Sequence, residues 1–139
     1  MKYEIFIRED QKPAPFYKKA IAEYEKRLSR YCKISYKLVR KEKDWLKLMN
    51  PEPGRLAFLV AAGKASLTSE GLSRMMADWE GSGVKKISFL VGPPEEEPRG
   101  EIPVLPLSEF TMPAAMTGMI LYEQIYRGYR ILHNQPYHK

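Results

Sequence analysis

The chain has one cysteine, two histidines and no apolar run near the ~20 residues that a bilayer crossing needs. A lone thiol, Cys32, excludes a disulfide within the chain. The start, MKYEIFIRED, is too short and too charged for a secretory signal, so the reducing cytosol is the expected compartment. Cys32 stands between Tyr31 and Lys33 with no histidine beside it in sequence, and it reads as a passive thiol. His133 and His138 are too few for a zinc site without carboxylates from elsewhere. There is no GxGxxG, GxxxxGK[ST], HExxH or GxSxG, which removes the commonest phosphate-binding, zinc-protease and serine-hydrolase motifs. Glu95, Glu96 and Glu97 are adjacent, but neighbouring side chains point apart, so they read as a solvated loop and no metal is expected.

What is present is an ordinary globular composition with a basic surplus. The 139 residues suit one domain spanning 1–139, with 44% hydrophobic and 29% charged residues. Lys and Arg number 23 against 17 Asp and Glu, a formal net charge of +6. The cations concentrate between Lys18 and Lys47 and again at Arg127, Arg130 and Lys139. Several alternate with Glu as on any solvated face, yet clustering of this kind favours a polyanion, because a nucleic acid releases counterions to Lys and Arg.

Along the chain, Tyr3–Ile7 is a short strand signal rich in β-branched and aromatic residues. Pro15 suits a first helical turn, and Ile21, Tyr24, Leu28 and Tyr31 continue an amphipathic helix. Ile34–Val39 alternates as a second strand. Lys41–Asn50 is a short helix or a loop, closed by the breaker Pro51-Glu52-Pro53-Gly54. Leu56–Ala62 is an uninterrupted apolar run, the pattern of a strand buried on both faces of a parallel sheet, and it ends at Gly63-Lys64. Thr68 or Ser69 caps a helix whose Leu72, Met75, Met76 and Trp79 share one face. Ile87–Val91 is another buried strand ending at Gly92-Pro93-Pro94, and a polar loop follows. Ile102–Leu107 is the last strand. The order predicts an α/β fold, a mostly parallel sheet with helices on both faces. Ligands in such sheets bind beyond the carboxyl ends of the strands, here Gly63-Lys64, Gly92-Pro93 and Ser108–Pro113.

The last stretch, Thr111–Lys139, dominates the pattern. Thr111 and Pro113 read as a helix start, and Ala114, Gly118, Leu121, Ile125, Gly128 and Leu132 form one stripe. Two glycines inside a helix cost roughly 1 kcal/mol each relative to alanine, so another backbone is expected close by. The apolar arc, widened by Ala115, Met119, Tyr122, Tyr126 and Tyr129, is broad enough that part of it can face a second copy. The end, Pro136-Tyr137-His138-Lys139, is by composition equally a frayed terminus or a tail folded into a site.

Three motifs together, the strand with Gly63-Lys64, the strand with Gly92-Pro93-Pro94-Glu95, and EQIYRGYRI running to a final PYHK, resemble the small SPOUT-class methyltransferases that modify N3 of pseudouridine in 23S ribosomal RNA. The resemblance covers nearly the whole chain and is sharpest at the C-terminus. It implies a C-terminal trefoil knot, a homodimer through the terminal helix, S-adenosylmethionine as cofactor, and ribosomal RNA or the ribosome as partner, in the cytoplasm. Carried over by position, it implies that Leu59, Gly92 and Pro93 line the cofactor pocket. It also implies that Ser108, Glu109, Phe110, Thr111, Met112 and Pro113 hold the cofactor largely through backbone groups. Arg127, Tyr137 and His138 match the residues set around the target base, with the tail reaching across the dimer.

The chain departs from the family pattern at Val60, Pro93, Ala114 and Gly118, which marks it as a divergent member. Pro93 replaces a glycine and has no N–H to offer. Two further readings therefore stand beside the enzyme: a SPOUT-fold dimer that binds RNA or ribosome without methyl transfer, and an unrelated basic dimer that binds RNA without cofactor.

Overall fold

A computed structural model describes residues 1–9, 12–63, 67–93 and 102–136. Lys64, the Pro94–Gly100 loop and the terminal Tyr137, His138 and Lys139 lie outside the described residues. The elements run β1 (Lys2–Arg8), α1 (Pro15–Leu28), β2 (Lys33–Val39), α2 (Glu42–Leu48), β3 (Leu56–Ala62), α3 (Ser69–Gly81), β4 (Lys86–Val91), β5 (Val104–Ser108) and α4 (Ala114–Leu132). The strands form one sheet in the order β2-β1-β4-β3-β5. Every pairing is parallel, so the sheet is parallel throughout its described length.

The helices cover both faces unequally. On one, α1, α3 and α4 pack on the sheet around Ile5, Ile21, Met76, Phe89, Leu121 and Ile125. On the other, among the described residues, lies α2 alone, which makes a helix of Glu42–Leu48 within the segment Lys41–Asn50. Its Trp45 is 2% exposed and packs with Met49, Leu59, Leu90 and Ile102. Burial of a side chain that large, at ~25 cal/mol per Å² of apolar surface, anchors a seven-residue helix too short to persist alone.

Several boundaries differ from the sequence expectation. α3 is capped by Thr68, whose hydroxyl accepts from the Gly71 N–H at 2.9 Å. β5 begins at Val104, because Pro103 lacks an amide for the ladder. Its carbonyl still accepts from the Leu59 N–H at 2.9 Å. α4 begins at Ala114, later than Thr111. Pro113 is extended, with ψ 144°, and caps the helix from outside. Neither Thr111 nor Pro113 offers a capping side chain. The Glu9 carboxylate at the end of β1 accepts the Ala115 N–H instead, at 3.2 Å, and places negative charge at the helix N-terminus.

The two helical glycines correct a second expectation. A Cβ at Gly118 would lie 2.6 Å from Ile7 Cδ1, and one at Gly128 would lie 2.5 Å from Met76 Sδ. At Gly118 the close neighbour is the Ile7 side chain on β1, while at Gly128 the α3 backbone also approaches, with Ser73 Cα 3.8 Å from that Cβ position. The glycine stripe therefore faces the chain's own sheet at Gly118 and its own α3 at Gly128. Half-buried Met116 and Ile120 remain on the outer side of α4, with Ile131 36% exposed.

Candidate functional site

β3, β4 and β5 end at the same edge of the sheet, and their exits form one cleft. A register shift at Ala61/Ala62 lets Ala62 pair with Ser108, and the Gly63 N–H then donates to the Ser108 carbonyl at 3.0 Å. Gly63 must be small here: a Cβ would sit 2.9 Å from Pro106 Cβ, an atom fixed in a ring. Beyond β5 the chain turns sharply, with the Phe110 N–H donating to Ser108 Oγ at 2.9 Å. The turn leaves Phe110 79% exposed at the lip.

The cleft is lined by Val60, Ala61 and Ala62 from β3, Gly92 and Pro93 after β4, Leu107 and Ser108 from β5, Phe110, Thr111 and Met112 from the turn, and Thr117 from the first turn of α4. Bounded by the described residues, it has about 20 Å³ open to the centre of a water molecule. That is room for about one water.

Of the residues expected from sequence, the cleft brings together Gly92, Pro93, Ser108, Phe110, Thr111 and Met112. Glu109 and Pro113 lie on the same segment with exposed side chains outside the lining. Leu59 is elsewhere. It is fully buried against Trp45 and Leu90 on the far face of the sheet, while its neighbour Val60 faces the other way and reaches the cleft. Strand alternation is the reason. Thr117 and Leu107 also line the cleft without having been singled out. The signal for Leu107 was its place at the end of a strand, and Thr117 had none.

Arg127 lies on α4 ten residues past Thr117, about 15 Å along the axis at ~1.5 Å per residue. Its guanidinium donates through Nε and Nη2 to Glu123 Oε1, at 3.0 and 2.7 Å. Both side chains are about one-fifth exposed, so the pair is better shielded from solvent than a surface i,i+4 bridge. Tyr137 and His138 lie outside the described residues, but the chain leading to them is held. Asn134 takes a left-handed φ of 52°, a conformation that Asn tolerates at a helix end. The Gln135 N–H donates to the Arg130 carbonyl at 2.8 Å, the Tyr31 hydroxyl donates to Gln135 Oε1, and Arg130 Nε donates to the Pro136 carbonyl at 3.0 Å. As far as Pro136, the tail is docked.

Beneath it, Tyr31 stacks on Tyr129 at 5.0 Å, and the Tyr129 hydroxyl meets those of Tyr3 at 3.2 Å and the Glu80 carboxylate at 3.3 Å. Burial raises the pKa of both Tyr3 and Tyr129, so they remain neutral donors. Burial likewise pushes the Cys32 thiol up to about 11, which leaves it protonated and unreactive at neutral pH.

A parallel α/β sheet with a cleft beyond three strand ends, walled by a glycine-proline turn and the entry to a C-terminal helix, is the architecture of a small-ligand-binding enzyme domain. The family model described as "Predicted SPOUT methyltransferase" matches residues 1–138, and the chain belongs to that family of methyltransferases. It is 35% identical over 139 residues to ribosomal RNA large subunit methyltransferase H 1 of Thermoanaerobacter sp. (strain X514), covering 100% of both chains. The protein named ribosomal RNA large subunit methyltransferase H from Desulfotalea psychrophila is 32% identical over 156 residues, again with 100% of both chains covered. A "putative" methyltransferase H from Methanococcus maripaludis is 32% identical across 86% of this chain and 89% of its own.

Proposed function

We propose that the chain is an S-adenosylmethionine-dependent methyltransferase of large-subunit ribosomal RNA, acting on N3 of pseudouridine as a cytoplasmic homodimer. Residues 1–139 form one domain, knotted where the segment after β5 passes the loop that follows β3. The observation that carries this reading is the convergence of Gly92-Pro93 with Ser108–Met112 on one cleft, in a chain whose family is one of methyltransferases. The names of its relatives supply the substrate class. Backbone bonds from Gly63 to Ser108 and from Leu67 to Pro106, at 3.0 and 2.7 Å, support the knot by holding β5 against the β3 exit.

The lining suits the cofactor chemically. Val60, Ala61, Leu107 and Met112 offer an apolar slot for adenine, and Ser108, Thr111 and Thr117 offer hydroxyls for its polar parts. The volume does not yet suit it, since ligand sites run from ~300 Å³ upward. Exposed Phe110 stands at the lip of the cleft. The bound group supplies an electrophilic methyl. The chain's own residues do the rest. The imide N–H of the target base is a poor nucleophile until deprotonated, and the His138 imidazole is the group that accepts that proton. Arg127, held in place by Glu123, offsets the negative charge that develops on the base, and Tyr137 stacks on it.

Chain reach supports the dimer. Thr117 at the cleft and Leu132 at the other end of α4 are about 22 Å apart along the axis. Pro136 is tied to that far end, and the two residues from there to His138 span at most ~7 Å. A tail that reaches the cleft of a second copy agrees with that distance. The half-buried Met116 and Ile120 on the outer face of α4 suit that contact.

The narrow cleft and Pro93 favour a second reading, a SPOUT-fold dimer that binds RNA or ribosome without methyl transfer. Calorimetric titration with S-adenosylmethionine separates the two. The enzyme binds it saturably and methylates large ribosomal subunits from a strain lacking the modification. Absence of binding leaves the non-catalytic dimer.

A further inference from the structure

The cations between Lys12 and Lys47 are unused by the cleft, and two larger hollows lie among them. The first, about 560 Å³, sits on the other flank of the first turn of α4, lined by Ala115 where the cleft is lined by Thr117. Its floor is Ile7, Ile21 and Leu38, and its walls are Tyr17 and Tyr36. Its rim is Lys12, Lys18 and Arg40, all exposed. The second, about 450 Å³, lies on the opposite face of the sheet, with Phe6 and Leu48 inside and Lys37, Lys41 and Lys47 around it. Leu38 and Arg40 line both, so the two hollows meet across β2, the edge strand. Asp44 is the acid lining the second hollow, and Glu9, near the first, is occupied by the Ala115 N–H.

We infer that the β2 edge is a single-strand RNA track, with the larger hollow taking one unstacked base while exposed Lys and Arg on both sides hold the phosphates. Lysines on an edge strand also deter strand addition. Deterrence alone calls for neither an apolar floor nor two tyrosines in the wall of a 560 Å³ hollow. Aromatic walls inside a cationic rim are what a splayed-out nucleotide needs, and every base presents a face to stack. Position agrees: the hollow and the cleft flank one helical turn, so RNA seated in the first delivers a neighbouring nucleotide to the second. The inference rests on the RNA-methyltransferase reading for its substrate, and on charge and shape for its location.

The test uses the full-length protein, a labelled single-stranded RNA of about 12 nucleotides, and fluorescence anisotropy across about 50–200 mM salt. Lys18→Gln with Arg40→Gln removes two phosphate contacts. At ~0.7 counterions per contact on a single strand, the salt slope falls by about 1.4 and affinity at 0.1 M salt falls about 25-fold. Tyr36→Leu keeps the apolar floor and loses stacking, with an expected drop of about 5-fold or more. Arg74→Gln with Lys85→Gln removes two exposed cations elsewhere and leaves affinity within about twofold. Equal losses in both double variants, no loss in either, or a parent that does not bind the RNA each overturn the track. So does a changed sedimentation coefficient for Lys18→Gln/Arg40→Gln, which makes this edge a contact between copies. S-adenosylmethionine calorimetry on the same samples keeps the two readings apart. Donor binding with no RNA effect sinks the track alone, and an RNA effect without donor binding sinks the methyltransferase alone.

Discussion

Gly63→Ala tests whether the cleft depends on one close approach. The added methyl meets Pro106 Cβ at 2.9 Å, against the ~3.5–4.0 Å of ordinary carbon contact. Roughly 0.6–1 Å must be found by moving something. The pyrrolidine ring cannot rotate away, and Pro106 is held through its carbonyl by the Leu67 N–H at 2.7 Å. The shift therefore passes into β5 and the Ser108 turn. Overpacking of this kind costs about 1–3 kcal/mol, and no left-handed backbone at Gly63 adds to it. Urea unfolding reads that loss, and calorimetry with S-adenosylmethionine reads the displaced Ser108–Met112 wall. Pro106→Gly removes the opposing carbon at a cost of ~0.5–1 kcal/mol, and in that background Gly63→Ala is close to neutral. Unchanged stability and donor affinity in the single variant would refute the close approach as the reason for glycine.

Other outcomes follow from the same geometry. His138→Ala lowers turnover on large ribosomal subunits far more than it lowers donor affinity, and equal turnover removes His138 as the proton acceptor. Glu123→Gln leaves donor binding intact but loosens Arg127, so kcat falls while the calorimetric Kd holds. Gly128→Ala meets buried Met76, so it destabilises the parent by up to ~2 kcal/mol, an overpacking cost of ~1–3 less ~1 regained in helix propensity; in a Met76→Val background its sign reverses, as urea unfolding will show. Burial raises the Glu25 pKa above 4.5, opposed by the Tyr122 hydroxyl that donates to it. The folded chain then binds that proton more tightly than the unfolded chain, so this group's contribution to stability declines as pH rises from 4.5 through the folded value. Glu25→Gln abolishes the decline, and its Tm advantage over the parent widens across that window.

The order of elements was legible because periodicity changes sharply along the chain. The two apolar runs that became β3 and β4 have no alternation, and that absence itself marked them as buried on both faces. It could not say which side chain faces which way, and so Leu59 was expected at the cleft where Val60 stands. The start of α4 was misread for a related reason. Its cap is Glu9, more than a hundred residues upstream, and no local pattern around Thr111 carries that contact. Gly118 and Gly128 were legible as close approaches, but composition does not say that the neighbour is the Ile7 side chain at the first and Met76 with the α3 backbone at the second. The strand ends were legible as a cleft, while its width depends on the Ser108 turn, which is set by one hydroxyl. The two hollows along β2 were invisible, since they join the end of β1, the start of α1 and an edge strand.

β1 is an interior strand of the sheet, yet one of its two partners is made late. Lys2 pairs with Lys86, so this strand awaits residues 84 positions behind it on the ribosome. At ~5–20 residues per second that is roughly 4–17 seconds of synthesis during which one flank of Tyr3–Ile7 has no ladder. A segment rich in β-branched and aromatic residues is adhesive in that interval, and what separates it from other nascent chains is the charge of Lys2, Glu4 and Arg8.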